Sequence, residues 1–66
     1  MEITINGEPR QFSAALTVAE LVGLLGYTGK RIAVERNGEI VPRSRHADAV
    51  LTAGDRLEIV VAVGGG

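Results

Sequence analysis

Hydrophobic and polar residues alternate near both ends of the chain, which is the pattern of strands with one buried face. Ile3 and Ile5 alternate with polar neighbours in the first such segment. The second segment, predicted as a strand over 57–63, places Leu57, Ile59, Val61 and Val63 on one face and Glu58, Val60 and Ala62 on the other. Because this last strand is apolar on much of both faces, we expect it at the centre of a sheet.

Two Asn-Gly dipeptides predict two tight hairpin turns, since both residues tolerate the positive φ angles that such turns require. Asn6-Gly7 connects the first strand to a short return strand over 9–12. Pro9 has no amide hydrogen, so this return strand is expected at a sheet edge. Asn37-Gly38 connects a strand over 32–36 to one over 39–41.

A single amphipathic helix is predicted after the first hairpin. Thr17-Val18-Ala19-Glu20 fits a capping box, with Thr17 as the N-cap and Glu20 bonding back to its amide. Gly26 is the expected end of the helix. The apolar stripe of the helix consists of Val18, Leu21, Val22 and Leu25.

These elements predict an α+β fold in which one main helix packs on a mixed sheet of four or five strands. A β-grasp arrangement fits this order, with the first and last strands side by side. The stretch from 43 to 53 is expected to be irregular or weakly extended, with Val50 and Leu51 as inward anchors. The predicted helix-facing residues are Ile3, Ile5, Leu21, Val22, Leu25, either Ile32 or Ala33, Ile59 and Val61.

Composition limits the range of functions. The 66 residues include no cysteine and one histidine, so neither disulfides nor a structural zinc site stabilises the domain. A formal net charge of −1 disfavours nucleic acid as a partner. No apolar run approaches the roughly 20 residues of a membrane span, and no export signal is present, so we expect a cytoplasmic protein. The short chain favours a carrier, adaptor or subunit over an independent enzyme.

Three glycines at the end of the sequence are the feature that a folded domain does not need. We expect residues 1–63 to form the domain and residues 64–66 to form a flexible tail. Gly64-Gly65-Gly66 presents a carboxylate with no β-carbon nearby, which can enter a channel too narrow for side chains. From composition alone, a frayed terminus or a cloning remnant explains the glycines equally well.

Other candidate sites are weaker. Ser44, His46 and Asp48 have the residue types of a catalytic triad, but closeness in sequence does not predict triad geometry, and a solvated loop is the favoured interpretation. Val60 and Ala62 form either an interaction patch or sheet interior. The basic residues form a patch for an acidic partner or, the favoured interpretation, a scattered solvated set: Lys30, Arg31, Arg36, Arg43 and Arg45.

Three parts of the sequence carry a family resemblance: Val34-Glu35-Arg36-Asn37-Gly38-Glu39-Ile40-Val41-Pro42, then Gly54-Asp55, and the ending Val63-Gly64-Gly65-Gly66. With them, the chain resembles the ThiS family of sulfur carrier proteins of thiamine biosynthesis. The resemblance covers the whole chain. It implies a β-grasp fold and a carrier role rather than an enzymatic one.

In that family, an activating enzyme that uses ATP and magnesium adenylates the terminal glycine, which corresponds here to Gly66. A sulfur donor protein then supplies the sulfur of a thiocarboxylate, and thiazole synthase consumes it. The resemblance thus implies that the chain itself binds no cofactor or metal. Gly64 and Gly65 would be recognised as the tail, and the candidate partner surface consists of Val60, Ala62, Arg43 and Arg45.

Two alternatives remain open at this stage. The small subunit of molybdopterin synthase is also a sulfur-bearing β-grasp protein, although that family usually has a longer middle segment. The second alternative is a ubiquitin-like modifier or interaction module, in which Gly66 is joined to a lysine of another protein or the tail has no role. What becomes attached to Gly66, sulfur or another protein, distinguishes a sulfur carrier from a modifier.

Overall fold

The computed structural model describes residues 1–62 and contains a five-stranded mixed sheet and one α-helix. The sheet order is β2-β1-β5-β3-β4, with β1 parallel to β5 and the other neighbours antiparallel. The elements are β1 (Glu2–Ile5), β2 (Glu8–Gln11), α1 (Val18–Leu24), β3 (Ile32–Arg36), β4 (Glu39–Val41), a 3-10 helix (Arg43–Arg45) and β5 (Arg56–Val61). The predicted fold class is confirmed, including the adjacent first and last strands.

The central position of β5 is also confirmed, but its extent differs from the prediction. The strand covers Arg56–Val61, and Ala62 follows it outside the strand. Val63 and the predicted tail Gly64–Gly66 lie outside the described residues. Within residues 1–62, no helix is long and apolar enough to cross a membrane.

Both predicted hairpin turns are present. The φ angles are 50° and 83° at Asn6 and Gly7, and 51° and 86° at Asn37 and Gly38. Positive φ at both central residues defines a type I′ turn, whose twist matches that of the flanking strands. Pro9 lies on the edge strand β2, as predicted.

The helix begins and ends where the sequence indicates. The Thr17 hydroxyl accepts a hydrogen bond from the Glu20 backbone N–H at 3.1 Å, and the Glu20 carboxylate accepts one from the Thr17 N–H at 2.9 Å. At the other end, Gly26 takes a φ of 79° and donates to the Gly23 carbonyl, while Tyr27 donates to the Val22 carbonyl. These are the two bonds of a Schellman motif.

The core lies between α1 and one face of the sheet. Its buried members are Ile3, Ile5, Val18, Leu21, Val34, Leu51, Leu57 and Ile59. Of the other predicted core residues, Val22, Leu25 and Ile32 are partly buried against this cluster, and Val61 is half-buried. The register resolves the choice between Ile32 and Ala33, since Ile32 shares the face of buried Val34 and Ala33 is exposed.

One predicted inward anchor is wrong. Leu51 is buried at 1% exposure, whereas Val50 is 52% exposed. Val50 forms an isolated bridge to Thr17, and consecutive residues of an extended segment point to opposite sides. Once Leu51 points into the core, Val50 must therefore point outward.

Candidate functional site: the open face and the end of the last strand

Strand β5 has one face in the core and one face open to solvent. Leu57 and Ile59 are buried, whereas the alternating residues Glu58 and Val60 are exposed. Val60 is 63% exposed and pairs with exposed Ala33 on β3. The interaction patch proposed for Val60 is therefore accessible rather than sheet interior.

The open face of the sheet carries further exposed side chains beside Val60 and Ala33. Glu35 of β3 pairs with Glu58 of β5 on one side and with Ile40 of β4 on the other, so all three share the open face. Ile40 is 70% exposed. We call Val60, Ala33 and Ile40 the open-face patch.

Charged residues border the open-face patch. Glu35 and Glu58 are directly opposed across β3 and β5, an arrangement in which like charges repel. With Asn37, Gly38 and Arg56 they line a shallow depression of about 540 Å³. Within residues 1–62, no three His, Cys, Asp or Glu side chains are grouped so as to hold a metal ion.

The end of β5 lies beside two basic segments. The Ala62 N–H donates to the Arg31 carbonyl at 2.8 Å, so the exposed Ala62 is held against the residue before β3. Arg43 donates from Nη2 to the carbonyl of the adjacent Lys30 at 3.4 Å. Arg43 is thus connected to the end of β5 through residues 30–31, and exposed Arg45 lies two residues further along the 3-10 helix.

The basic residues do not form a single patch. Arg36 is used structurally, because its Nε and Nη2 donate to Asp55 at 2.9 and 2.8 Å. Lys30 lies over the Tyr27 ring, with Nζ 6.0 Å from the ring centroid. Of the predicted partner residues, the structure brings Val60, Ala62 and Arg43 toward the same end of β5.

The Ser44, His46 and Asp48 set does not form a triad. The His46 ring nitrogen Nε2 lies 3.0 Å from the Val41 carbonyl, to which it donates, while Ser44 and Asp48 are exposed. His46 therefore connects the 3-10 helix to the end of β4. This agrees with the favoured interpretation of a solvated, structural loop.

Sequence reasoning missed the side chains that hold β5 in place. Asn6 bonds both the N–H and the carbonyl of Ile59, and the Asn37 side-chain oxygen accepts from the Arg56 N–H. The sequence predicts only a turn conformation for both asparagines. The Asn-Gly signal does not reveal these bonds, because asparagine is preferred in such turns for local backbone reasons that say nothing about a distant strand.

Asp55, at 6% exposure, is the buried charged residue of the described chain. Its carboxylate accepts hydrogen bonds from Arg36, Asn37, the Thr52 backbone N–H and the Thr52 hydroxyl. Burial by itself raises the pKa of Asp55, but the bonds from Thr52, Asn37 and Arg36, with the Arg36 charge, outweigh it and hold the pKa below 3.8. The ionised carboxylate thus holds β3, the second turn and the start of β5 together.

A sequence model of the ThiS family matches residues 3–66. The chain belongs to the ThiS family. It is also similar, over its full length, to the crystal structure of a ThiS thiamine biosynthesis protein from Geobacter metallireducens, with a TM-score of 0.85, 32% identity and 100% of both chains covered. This ThiS structure confirms the β-grasp fold predicted from the sequence.

Two curated relatives of this ThiS-family chain are named thiazole synthase. The protein from Paramagnetospirillum magneticum is 53% identical over 66 residues, and that from Magnetococcus marinus is 39% identical over 66 residues. Each match covers 100% of this chain but 20% of the relative. The chain therefore spans about one fifth of the length of these relatives.

Proposed function

We propose that the chain is a sulfur carrier of thiamine biosynthesis, with the carboxyl group of Gly66 as the attachment site. The observation that supports this most strongly is the ThiS-family match over residues 3–66, which includes Gly64, Gly65 and Gly66. The similarity of the whole chain to a ThiS thiamine biosynthesis protein supports the same pathway.

Two reactions occur at Gly66 in this proposal. The carboxylate oxygen attacks the α-phosphorus of ATP in an activating enzyme that also holds Mg²⁺, which forms an acyl-adenylate and releases pyrophosphate. Sulfur at the oxidation level of sulfide, delivered by a donor protein, then attacks the carbonyl carbon, and AMP leaves. The first reaction is required because a carboxylate repels nucleophiles and has no good leaving group. The acyl-adenylate provides one, since AMP leaves readily.

The thiocarboxylate formed in this way donates its sulfur to thiazole synthase. Two relatives that carry this name contain a region similar to the whole of this chain, which supports thiazole synthase as a partner. The carrier supplies a reactive group, and the partner enzymes supply the catalytic residues. In this proposal both partners are cytoplasmic, where ATP is available.

Partner enzymes bind the open-face patch while Gly66 reaches their active sites. Val60 lies on the strand that leads toward the tail, and its side chain is 63% exposed. Burial of an exposed apolar side chain stabilises a complex, and the adjacent carboxylates favour a partner with basic groups. Arg43 and Arg45 form a second candidate contact area next to this one.

Intact-mass spectrometry tests the attachment directly. The native protein is recovered from its source organism after growth without thiamine, and fragment ions locate any change. We expect a mass gain equal to sulfur minus oxygen on Gly66, which disappears when thiamine is supplied. Gly66 joined to a lysine of another protein would instead show a modifier, and an unaltered Gly66 under thiamine starvation would contradict both functions.

A further inference from the structure

The pairing between β1 and β5 ends with a side chain instead of a backbone group. Backbone bonds run from Thr4 N–H to the Asp55 carbonyl at 3.0 Å and from Asn6 N–H to the Leu57 carbonyl at 2.9 Å. At Ile59 the backbone of β1 has already entered the hairpin turn. The side-chain amide of Asn6 bonds Ile59 in place of the β1 backbone. Its Oδ1 accepts from the Ile59 N–H at 2.8 Å, and its Nδ2 donates to the Ile59 carbonyl at 3.2 Å.

The backbone groups of β5 alternate between its two neighbours, as in any strand. Even-numbered residues face β3, because the Arg56 carbonyl accepts from Asn37 and the Ala62 N–H donates to Arg31. Odd-numbered residues face β1, as the bonds of Leu57 and Ile59 show. The N–H and carbonyl of Val61 therefore point to the β1 side, beyond the Asn6 amide, where residues 1–62 provide no hydrogen-bond partner.

We propose that an extended segment of the activating enzyme pairs with β5 at this free edge, donating to the Val61 carbonyl and accepting from the Val61 N–H. This inference rests on the proposed carrier function. An unpaired strand edge binds extended peptides through its backbone groups, a recognition mode known as strand addition. The pairing is independent of the open-face patch, which uses side chains instead.

The position of Val61 explains why the activating enzyme benefits from this contact. Gly66 follows Val61 by five residues, a distance of at most about 18 Å in an extended chain. Strand pairing fixes the register of the two chains, and a slip by two residues would displace Gly66 by about 6.8 Å. Pairing at Val61 therefore sets how far the carboxylate enters the ATP site.

The activating enzyme is a better occupant of this edge than a second copy of the chain. Only one residue, Val61, has a free backbone N–H and carbonyl between the Asn6 amide and the end of the described chain. One such residue provides two hydrogen bonds, which are too few to hold two copies together. A partner that also receives the following residues can extend the same pairing along them.

Amide hydrogen exchange of the unaltered chain, measured residue by residue by NMR, tests the proposal. In the free protein we expect rapid exchange at Val61 and slow exchange at Val60 and Ala62, whose N–H groups face β3. Addition of the activating enzyme and ATP should slow exchange at Val61 at least tenfold. Rapid exchange at Val61 in a complex that releases pyrophosphate would overturn the pairing but leave the carrier function intact.

A pair of variants separates the N–H group from the side chain. Val61→Pro removes the N–H, which makes no bond in residues 1–62, and Val61→Ala keeps it while removing most of the side chain. We expect Val61→Pro to bind the activating enzyme about tenfold more weakly than Val61→Ala. Equal affinities of two folded variants would overturn the proposal, and if Val61→Pro does not fold, the exchange measurement decides.

Two further outcomes have a defined meaning. Protection of Val61 in the free protein that increases with protein concentration would assign the edge to a second copy and overturn the proposal. If the unaltered chain releases no pyrophosphate with the activating enzyme and ATP, the carrier function itself fails. The two failures are distinguishable because the first leaves adenylation unchanged.

Discussion

Arg36 and Asp55 form an ion pair that joins the end of β3 to the start of β5. The Asp55 oxygen Oδ2 accepts from Nε of Arg36 at 2.9 Å and from Nη2 at 2.8 Å, a side-on arrangement that fixes both side chains. The Asp55 side chain is 7% exposed and the Arg36 side chain 28%. Each of the hydrogen-bonding groups around the Asp55 carboxylate is a donor.

Replacement of Asp55 by asparagine should therefore destabilise the fold. One carboxylate oxygen becomes an NH₂ group that faces other donors, and the Arg36 charge loses its partner. We expect Asp55→Asn to lower the free energy of unfolding by about 2 kcal/mol at neutral pH, measured by urea denaturation. The control is Asp48→Asn, which removes an exposed carboxylate and should change stability by less than about 0.5 kcal/mol. Equal stability of the two variants would contradict the role assigned to this ion pair.

The stability difference between the parent and Asp55→Asn should depend on pH. The pKa of Asp55 in the fold lies below its ordinary value of 3.8, so the carboxylate contributes its full stabilisation above that value and loses it as the pH falls through the lower folded pKa. We expect a constant difference between about pH 7 and 5 and a narrowing difference below about pH 4. Denaturation of both proteins over this range measures it, and a difference that widens toward acid would show the opposite pKa shift.

Two leucines of one helix provide a test of the core. Leu21 is 0% exposed and Leu24 is 66% exposed, although both belong to α1. Leu21→Ala should cost about 2–5 kcal/mol, because it removes apolar contacts and leaves a cavity. Leu24→Ala should change stability by less than about 0.5 kcal/mol. Similar denaturation midpoints for the two variants would mean that the helix presents a different face to the sheet.

Val60 tests the open-face patch. Val60→Asp places a charge at a 63% exposed position beside Glu58 and Glu35, so it should leave the fold intact and weaken binding to both the activating enzyme and thiazole synthase at least tenfold. Val50→Asp is the control, since Val50 is 52% exposed but lies outside the sheet. Circular dichroism checks the fold, and isothermal titration measures binding. Normal binding by folded Val60→Asp would contradict the open-face patch as the partner surface and favour Arg43 and Arg45 instead.

Deletion of Gly66 tests whether the position of the carboxylate matters. The shortened chain ends at Gly65 instead of Gly66. Its terminal carboxylate is chemically equivalent but lies about 3.5 Å closer to the folded domain. Because an error of even 1 Å can reduce a reaction rate about a hundredfold, the shortened chain should fold and bind the activating enzyme but form no acyl-adenylate. Pyrophosphate release measures the reaction. Turnover at the parent rate would show that the enzyme accepts the tail at variable depth.

The local signals in the sequence predicted the elements with little error. The Thr17 and Glu20 capping box, the Gly26 stop and both Asn-Gly turns are each decided by a few neighbouring residues, and each is present in the structure. The alternating pattern of β5 likewise predicted which side chains face the core. Such signals survive folding because tertiary contacts do not oppose them here.

Other features depended on which strands become neighbours. Val50 and Leu51 are both apolar, and only the direction of the segment next to Thr17 determined that Leu51 is buried. The register of β3 against β5 likewise determines that Ile32, and not Ala33, faces the core.

The sequence by itself determined the elements, their order and the family resemblance, because these follow from local chemistry and from the residues themselves. Only the tertiary structure decided that Asn6 ends the pairing at Ile59 and that Asp55 binds both Arg36 and Asn37. It also decided that the backbone groups of Val61 have no partner among residues 1–62. Asn6 and Ile59 are far apart in the chain. Their contact exists because β1 and β5 are parallel neighbours whose lengths differ, and no pattern within either strand reports the position of the other.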